Sequence, residues 1–136
     1  MLLTVNVPHD YDLLLSVHSW IYPDIQPVPE TTSSSRTFAR VFTISEADVP
    51  VVVRQSRAGM PLEVLHSLAR RFVTDVERKV QFVFGLDIDL SDAHRVLRND
   101  TMLRDVSSQL FHVRPYLCDT PFEALVKSII QQQISY

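Results

Sequence analysis

An α+β fold is predicted for this 136-residue chain, with an antiparallel sheet in the first half and helices in the second. Three observations predict it. Runs rich in Val, Phe and Thr alternate at period two over residues 37–55. A helix-capping pattern and period-3.6 apolar spacing begin at Thr74. The strands come first and the helices after, an order that fits an α+β architecture or two domains.

Leu2–Val7 reads as a strand that Pro8 ends. Asp10 is placed to cap a short helix running to about Trp20, with Leu13, Leu14, Val17 and Trp20 on one face. Residues 22–36 hold Pro23, Pro27, Pro29 and the run Thr31–Ser35, and read as a loop. Thr37–Ile44 reads as a strand with Phe38, Phe42 and Ile44 on one face. Val49–Gln55 reads as a second, with Val49, Val51 and Val53. Ser45–Asp48 is too polar to continue either and is expected to be their turn; Ser56–Gly59 reads as another. Residues 61–67 are ambiguous. Leu62 and Val64 alternate as in a strand, whereas Leu62, Leu65, Leu68 and Phe72 repeat as in a helix. Strand is preferred because it completes a meander with short turns.

Thr74-Asp75-Val76-Glu77 has the form of a capping box, and Val76, Val80, Val83 and Phe84 follow at helical spacing. Gly85 is placed to close that helix in the left-handed conformation. Two short helices are expected near 91–98 and 101–109. Asp87 and Asp89 read as helix-starting residues rather than paired catalytic carboxylates. The division expected is a sheet domain over residues 1–88 and the beginning of a helical domain over 89–136.

Bulk composition is that of ordinary globular material, 46% hydrophobic and 21% charged. No apolar run reaches the roughly 18 residues a membrane span needs, and the start lacks the marks of a signal peptide. The single cysteine, Cys118, forms no internal disulfide and reads as structural, which fits a reducing, cytoplasmic setting. The formal net charge is −3, and Arg36, Arg40, Arg54, Arg57 and the later basic residues are scattered. Composition alone therefore gives no sign of nucleic acid, whose binders usually show a basic patch. His9, His18, His66, His94 and His112 lack metal-ligand spacing and read as surface or satisfied side chains. No metal or organic cofactor is expected.

The last segment is the most informative. Thr120-Pro121-Phe122-Glu123 is a second capping box, with proline at the first helical position. Phe122, Leu125, Val126, Ile129, Ile130 and Ile134 then form one broad apolar stripe. Burying such side chains contributes on the order of 10 kcal/mol, at about 1.5–3 kcal/mol each. The stripe needs a partner. Either the helix docks back on the sheet, or it opens a helical domain that continues past Tyr136. In isolation an uncovered stripe is expected to drive self-association.

Phe84-Gly85-Leu86-Asp87-Ile88-Asp89-Leu90, followed by Thr120 through Ser135, resembles helix-hairpin-helix DNA glycosylases. The resemblance is to the 3-methyladenine DNA glycosylase II branch, with the 8-oxoguanine branch as an alternative. His9-Asp10-Tyr11-Asp12-Leu13 through Trp20 is a fainter match upstream. The resemblance implies an N-terminal antiparallel sheet domain comparable to TATA-binding protein, followed by a helical domain. It implies excision of alkylated purines from damaged double-stranded DNA by hydrolysis of the N-glycosidic bond. The base must first leave the stack, at a cost of a few kcal/mol. By the same resemblance Gln133, with Gln132 beside it, matches the wedge that fills the vacated gap, and Trp20 lies near an aromatic of the base pocket. The helix-hairpin-helix and its catalytic aspartate would lie beyond residue 136, so the chain alone is expected to be inactive. A reading from another class is a non-enzymatic interaction module that binds protein through the Phe122–Ile134 stripe.

Overall fold

The computed structural model describes residues 1–19, 31–32 and 35–134. Most of the proline- and serine-rich loop, and Trp20 with it, lies outside the described residues.

β3 (Thr37–Ile44), β4 (Ala47–Arg54) and β5 (Leu62–His66) form the expected meander. β1 (Leu2–Val5) pairs with β5, and β2 (Thr31–Thr32) with β3. The result is a five-stranded antiparallel sheet in the order β1-β5-β4-β3-β2. The ambiguity at 61–67 resolves as strand. Two details of the sheet differ from the sequence reading. Thr31 and Thr32 are not loop: they pair with Phe38 and Thr37. β4 starts at Ala47, because Ile44 pairs with Ala47 and leaves a two-residue turn. Ser45 and Glu46 both take positive φ, 51° and 65°, as a type I′ hairpin demands. Neither is the Asn or Gly that normally advertises such a turn, so the polar stretch looked longer than the turn it makes.

Alternation places Phe38, Phe42 and Ile44 beside Val49, Val51 and Val53, then Leu62 and Val64, on one buried face. Leu13 and Val17 of α1 (Leu13–Ser19) and Val76, Val80 and Val83 of α2 (Val73–Val83) belong to the same core. The opposite face leaves Val41 and Leu65 exposed.

Asp12, not Asp10, caps α1: its Oδ1 accepts from the Leu15 amide at 3.0 Å. The chain still turns between Pro8 and Tyr11 before the helix can start. Asp10 is buried instead, 3.8 Å from the Arg114 guanidinium. The expected box at Thr74 does not form, because a 3-10 turn over Arg70–Phe72 already starts α2 and leaves Thr74 inside it. Gly85 closes α2 as expected, at φ 61°. Leu86 N–H donates to the Gln81 carbonyl and Gly85 N–H to that of Phe82, the paired bonds of a Schellman end. A Cβ at Gly85 would also fall 2.4 Å from the Pro115 carbonyl oxygen. Glycine is needed here twice over.

α3 (Ser91–Asn99) and α4 (Arg104–Gln109) follow, and α3 buries no residue. Residues 111–119 then run back as a strap across the core. Asp12 N–H donates to the His112 carbonyl, Arg114 N–H to Ser16 Oγ and Leu117 N–H to the Val83 carbonyl. The Tyr116 ring sits 5.7 Å from Phe38 and 5.9 Å from Phe84. The strap delivers the chain to α5 (Pro121–Ile134). Among the described residues no helix is long and apolar enough to cross a membrane.

Candidate functional site

α5 begins as the sequence requires. Pro121 takes the first helical position, and the Glu123 amide donates to Thr120 Oγ1 at 3.1 Å. The Glu123 carboxylate returns one residue further than a standard box, accepting from the Asp119 amide at 2.8 Å.

An ionic knot fastens this first turn to the sheet. Arg40 lies on the core face of β3, in the row of Phe38 and Phe42. Its Nη1 donates to Tyr116 Oη at 2.7 Å, and its Nη2 pairs with Glu123 Oε1. Lys127, one turn along α5, reaches the same oxygen at 2.5 Å. Lys79 of α2 pairs with Asp119 at 2.9 Å, and Asp119 accepts from the Thr43 amide of β3 at 2.9 Å. Burial alone would raise the Glu123 carboxyl. Lys127, Arg40 and the Asp119 amide outweigh it and hold the group down to about 2.

Outside this knot α5 stands away from the body. Phe122 is 75% exposed, Leu125 59%, Ile129 49% and Ile130 47%. The helix therefore does not dock back on the sheet. A stripe of this size, uncovered, marks an interaction surface.

The chain matches no protein-family model, and no curated protein matches it by sequence. Among solved structures it superposes on a 3-methyladenine DNA glycosylase from Archaeoglobus fulgidus with a TM-score of 0.77 and 21% identity. The match covers 98% of this chain and 46% of that one. The chain shares its fold with part of that glycosylase. The chain spans just under half of its neighbour's length, so the shared fold includes the sheet, the strap and the uncovered helix, while more than half of the glycosylase has no counterpart here.

Of the residues singled out from sequence, Gln132 is exposed on α5 and Gln133 is the next residue of the same helix. Trp20 lies outside the described residues. Sequence reading missed the knot. Arg40 was grouped with scattered surface arginines, yet it occupies an even-numbered position between Phe38 and Phe42, on the face that alternation assigns to the core. That parity was the available signal. Tyr116, Lys79 and Asp119 carried none, since only the strap brings them to α5. Two histidines also differ from expectation: both ring nitrogens of His66 and of His94 are buried without a partner. Among the described residues no three His, Cys, Asp or Glu side chains assemble as a metal group.

Proposed function

We propose that this chain is the sheet-bearing part of a DNA glycosylase that excises alkylated purines of the 3-methyladenine type in base-excision repair. The observation that carries the reading is the uncovered apolar face of α5 on a fold that corresponds to 46% of a glycosylase. A helix bearing that much exposed apolar surface belongs against more protein, and the neighbour has more protein to offer.

On this reading α5 belongs to a helical domain, beginning near residue 89, that goes on to the helix-hairpin-helix and its aspartate. The hairpin grips the DNA backbone and the aspartate stabilises the cationic sugar as the glycosidic bond breaks. No metal or organic cofactor takes part. Gln133, with Gln132 beside it, fills the gap left by the flipped base. A glutamine amide both donates and accepts, so it can also bond the orphaned partner base. Trp20 lines the pocket for the extruded base, where an indole face suits stacking.

The same stripe suits a non-enzymatic module that binds another protein. One experiment separates the two. The product of the complete reading frame and the 136-residue chain are each incubated with methylated duplex DNA, and free 3-methyladenine is measured. Release by the complete product with none from the chain alone is expected. Release by neither contradicts the repair reading, and release by the chain alone contradicts the placement of the chemistry elsewhere.

A further inference from the structure

A second site lies away from α5. A cleft of about 440 Å³ opens between α3 and the start of the strap, lined by His94, Arg95 and Arg98 on one side and Phe111 and Arg114 on the other. The His94 and Phe111 rings are 4.4 Å apart, and the Arg98 guanidinium lies 4.9 Å from the centre of the same phenyl ring. Stacking of this kind fixes Arg98 at the rim without neutralising it.

The cleft is bordered by polar nitrogens with nothing to bond. Both ring nitrogens of His94 and Nε of Arg114 are buried and unpartnered. Arg98 makes no ion pair among the described residues. Buried polar groups in folded proteins are nearly always satisfied, so a cluster of orphans beside an open cavity calls for something that enters it. One carboxylate also stands on the wall: Asp89 Oδ1 accepts from the Ser91 amide at 2.9 Å and the Ser91 hydroxyl at 2.6 Å, and its charge faces the arginines of the cleft. Arg95 is paired with Asp92 at 2.9 Å, and Arg114 lies 3.8 Å from Asp10. Arg98 is the guanidinium left with its charge unspent, and the orphans around it are nitrogens.

We propose that this cleft binds a phosphate group through Arg98, His94 and Arg114. A guanidinium presents a planar fork of donors that matches phosphate oxygens, and the imidazole N–H adds one more donor. The phosphate comes either from a nucleic-acid backbone or from a free nucleotide. The site goes beyond the repair reading, since none of its donors belongs to α5.

The test is a nuclear magnetic resonance titration of the labelled chain with inorganic phosphate, AMP and a short undamaged duplex. The His94 ring and the Arg114 Nε–H are observed. Saturable shifts at both groups on adding inorganic phosphate are expected. Arg98→Gln should weaken binding roughly tenfold, through loss of a charged bidentate donor. Arg104→Gln should leave it unchanged, since Arg104 is exposed and lies outside the cleft. Both arginines are exposed, so both variants keep the fold. Tighter binding of duplex than of AMP names the backbone as the source, and the reverse names a free nucleotide. No saturable shift at His94 and Arg114, or equal weakening by the two variants, overturns the proposal. Either result leaves the base-release outcome untouched.

Discussion

Arg40, on the core face of β3, is ion-paired with Glu123 in the first turn of α5, 83 residues further along the chain. The pair joins the sheet to the helix that carries the exposed stripe. Both side chains are mostly buried, at 19% and 17% exposure, so losing one partner leaves a charge poorly solvated. Arg40→Met is expected to destabilise the chain by about 2 kcal/mol, below the usual range for a fully buried pair because Lys127 still holds Glu123. Urea unfolding at neutral pH measures it. A loss within error of zero would show that the knot is ornamental.

The knot also sets an acid dependence. Glu123 falls from 4.5 to about 2 on folding. Its folded form therefore binds protons less readily than the unfolded form. Its stabilising contribution is complete above about 4.5 and disappears as the pH drops from there towards 2. Glu123→Gln is expected to be less stable at neutral pH and to show a flatter stability profile across that window. An unchanged profile would mean that other carboxylates govern acid unfolding.

His66 gives a second pH window of the same sign by a different route. Its ring is buried at the end of β5 with both nitrogens unpartnered. Burial, with the N-terminal ammonium nearby, pushes the imidazole below 6.5. The folded state disfavours its charged form, so stability declines as the pH falls below the ordinary histidine value. His66→Leu is expected to remove that decline as the pH falls through 6.5 and below. Guanidinium unfolding across the range checks it, and a variant that keeps the wild-type slope counts against the assignment.

The stripe on α5 makes its own prediction. Leu125 and Ile129 touch little in this chain, so Leu125→Glu with Ile129→Glu is expected to change folding stability by less than about 0.5 kcal/mol per site. The unsubstituted chain is expected to self-associate with rising concentration in sedimentation, and the same pair to abolish it. Self-association that survives both charges would place the sticky surface elsewhere.

Much of this fold was legible in the sequence because period and punctuation agreed. Phe38, Phe42 and Ile44 alternate, Gly85 ends a helical run, and Thr120-Pro121 opens one. What stayed hidden depends on contacts between distant segments. Gln55 looked like the last residue of a strand. It is instead fully buried, accepting from the Leu13 amide at 2.8 Å and donating to the carbonyls of Tyr11 and Met60 at 3.0 Å each. No local pattern announces a side chain that ties three pieces of backbone together. Arg40 is the intermediate case: its parity was visible, but its partners arrive from the strap and from α5. At the candidate site the helix and its greasy face were readable, whereas what anchors its first turn was not.

Amide hydrogen exchange along α5 bears most directly on the whole account. In the 136-residue chain, amides from Leu125 to Ile130 should exchange nearly as fast as in a frayed helix, while those of β4 stay protected. In the product of the complete reading frame the same α5 amides should slow by several orders of magnitude, as covered helix amides do. Equal, slow exchange in both would mean that this helix never lacked a partner, and the claim that it seats against a further domain would be wrong.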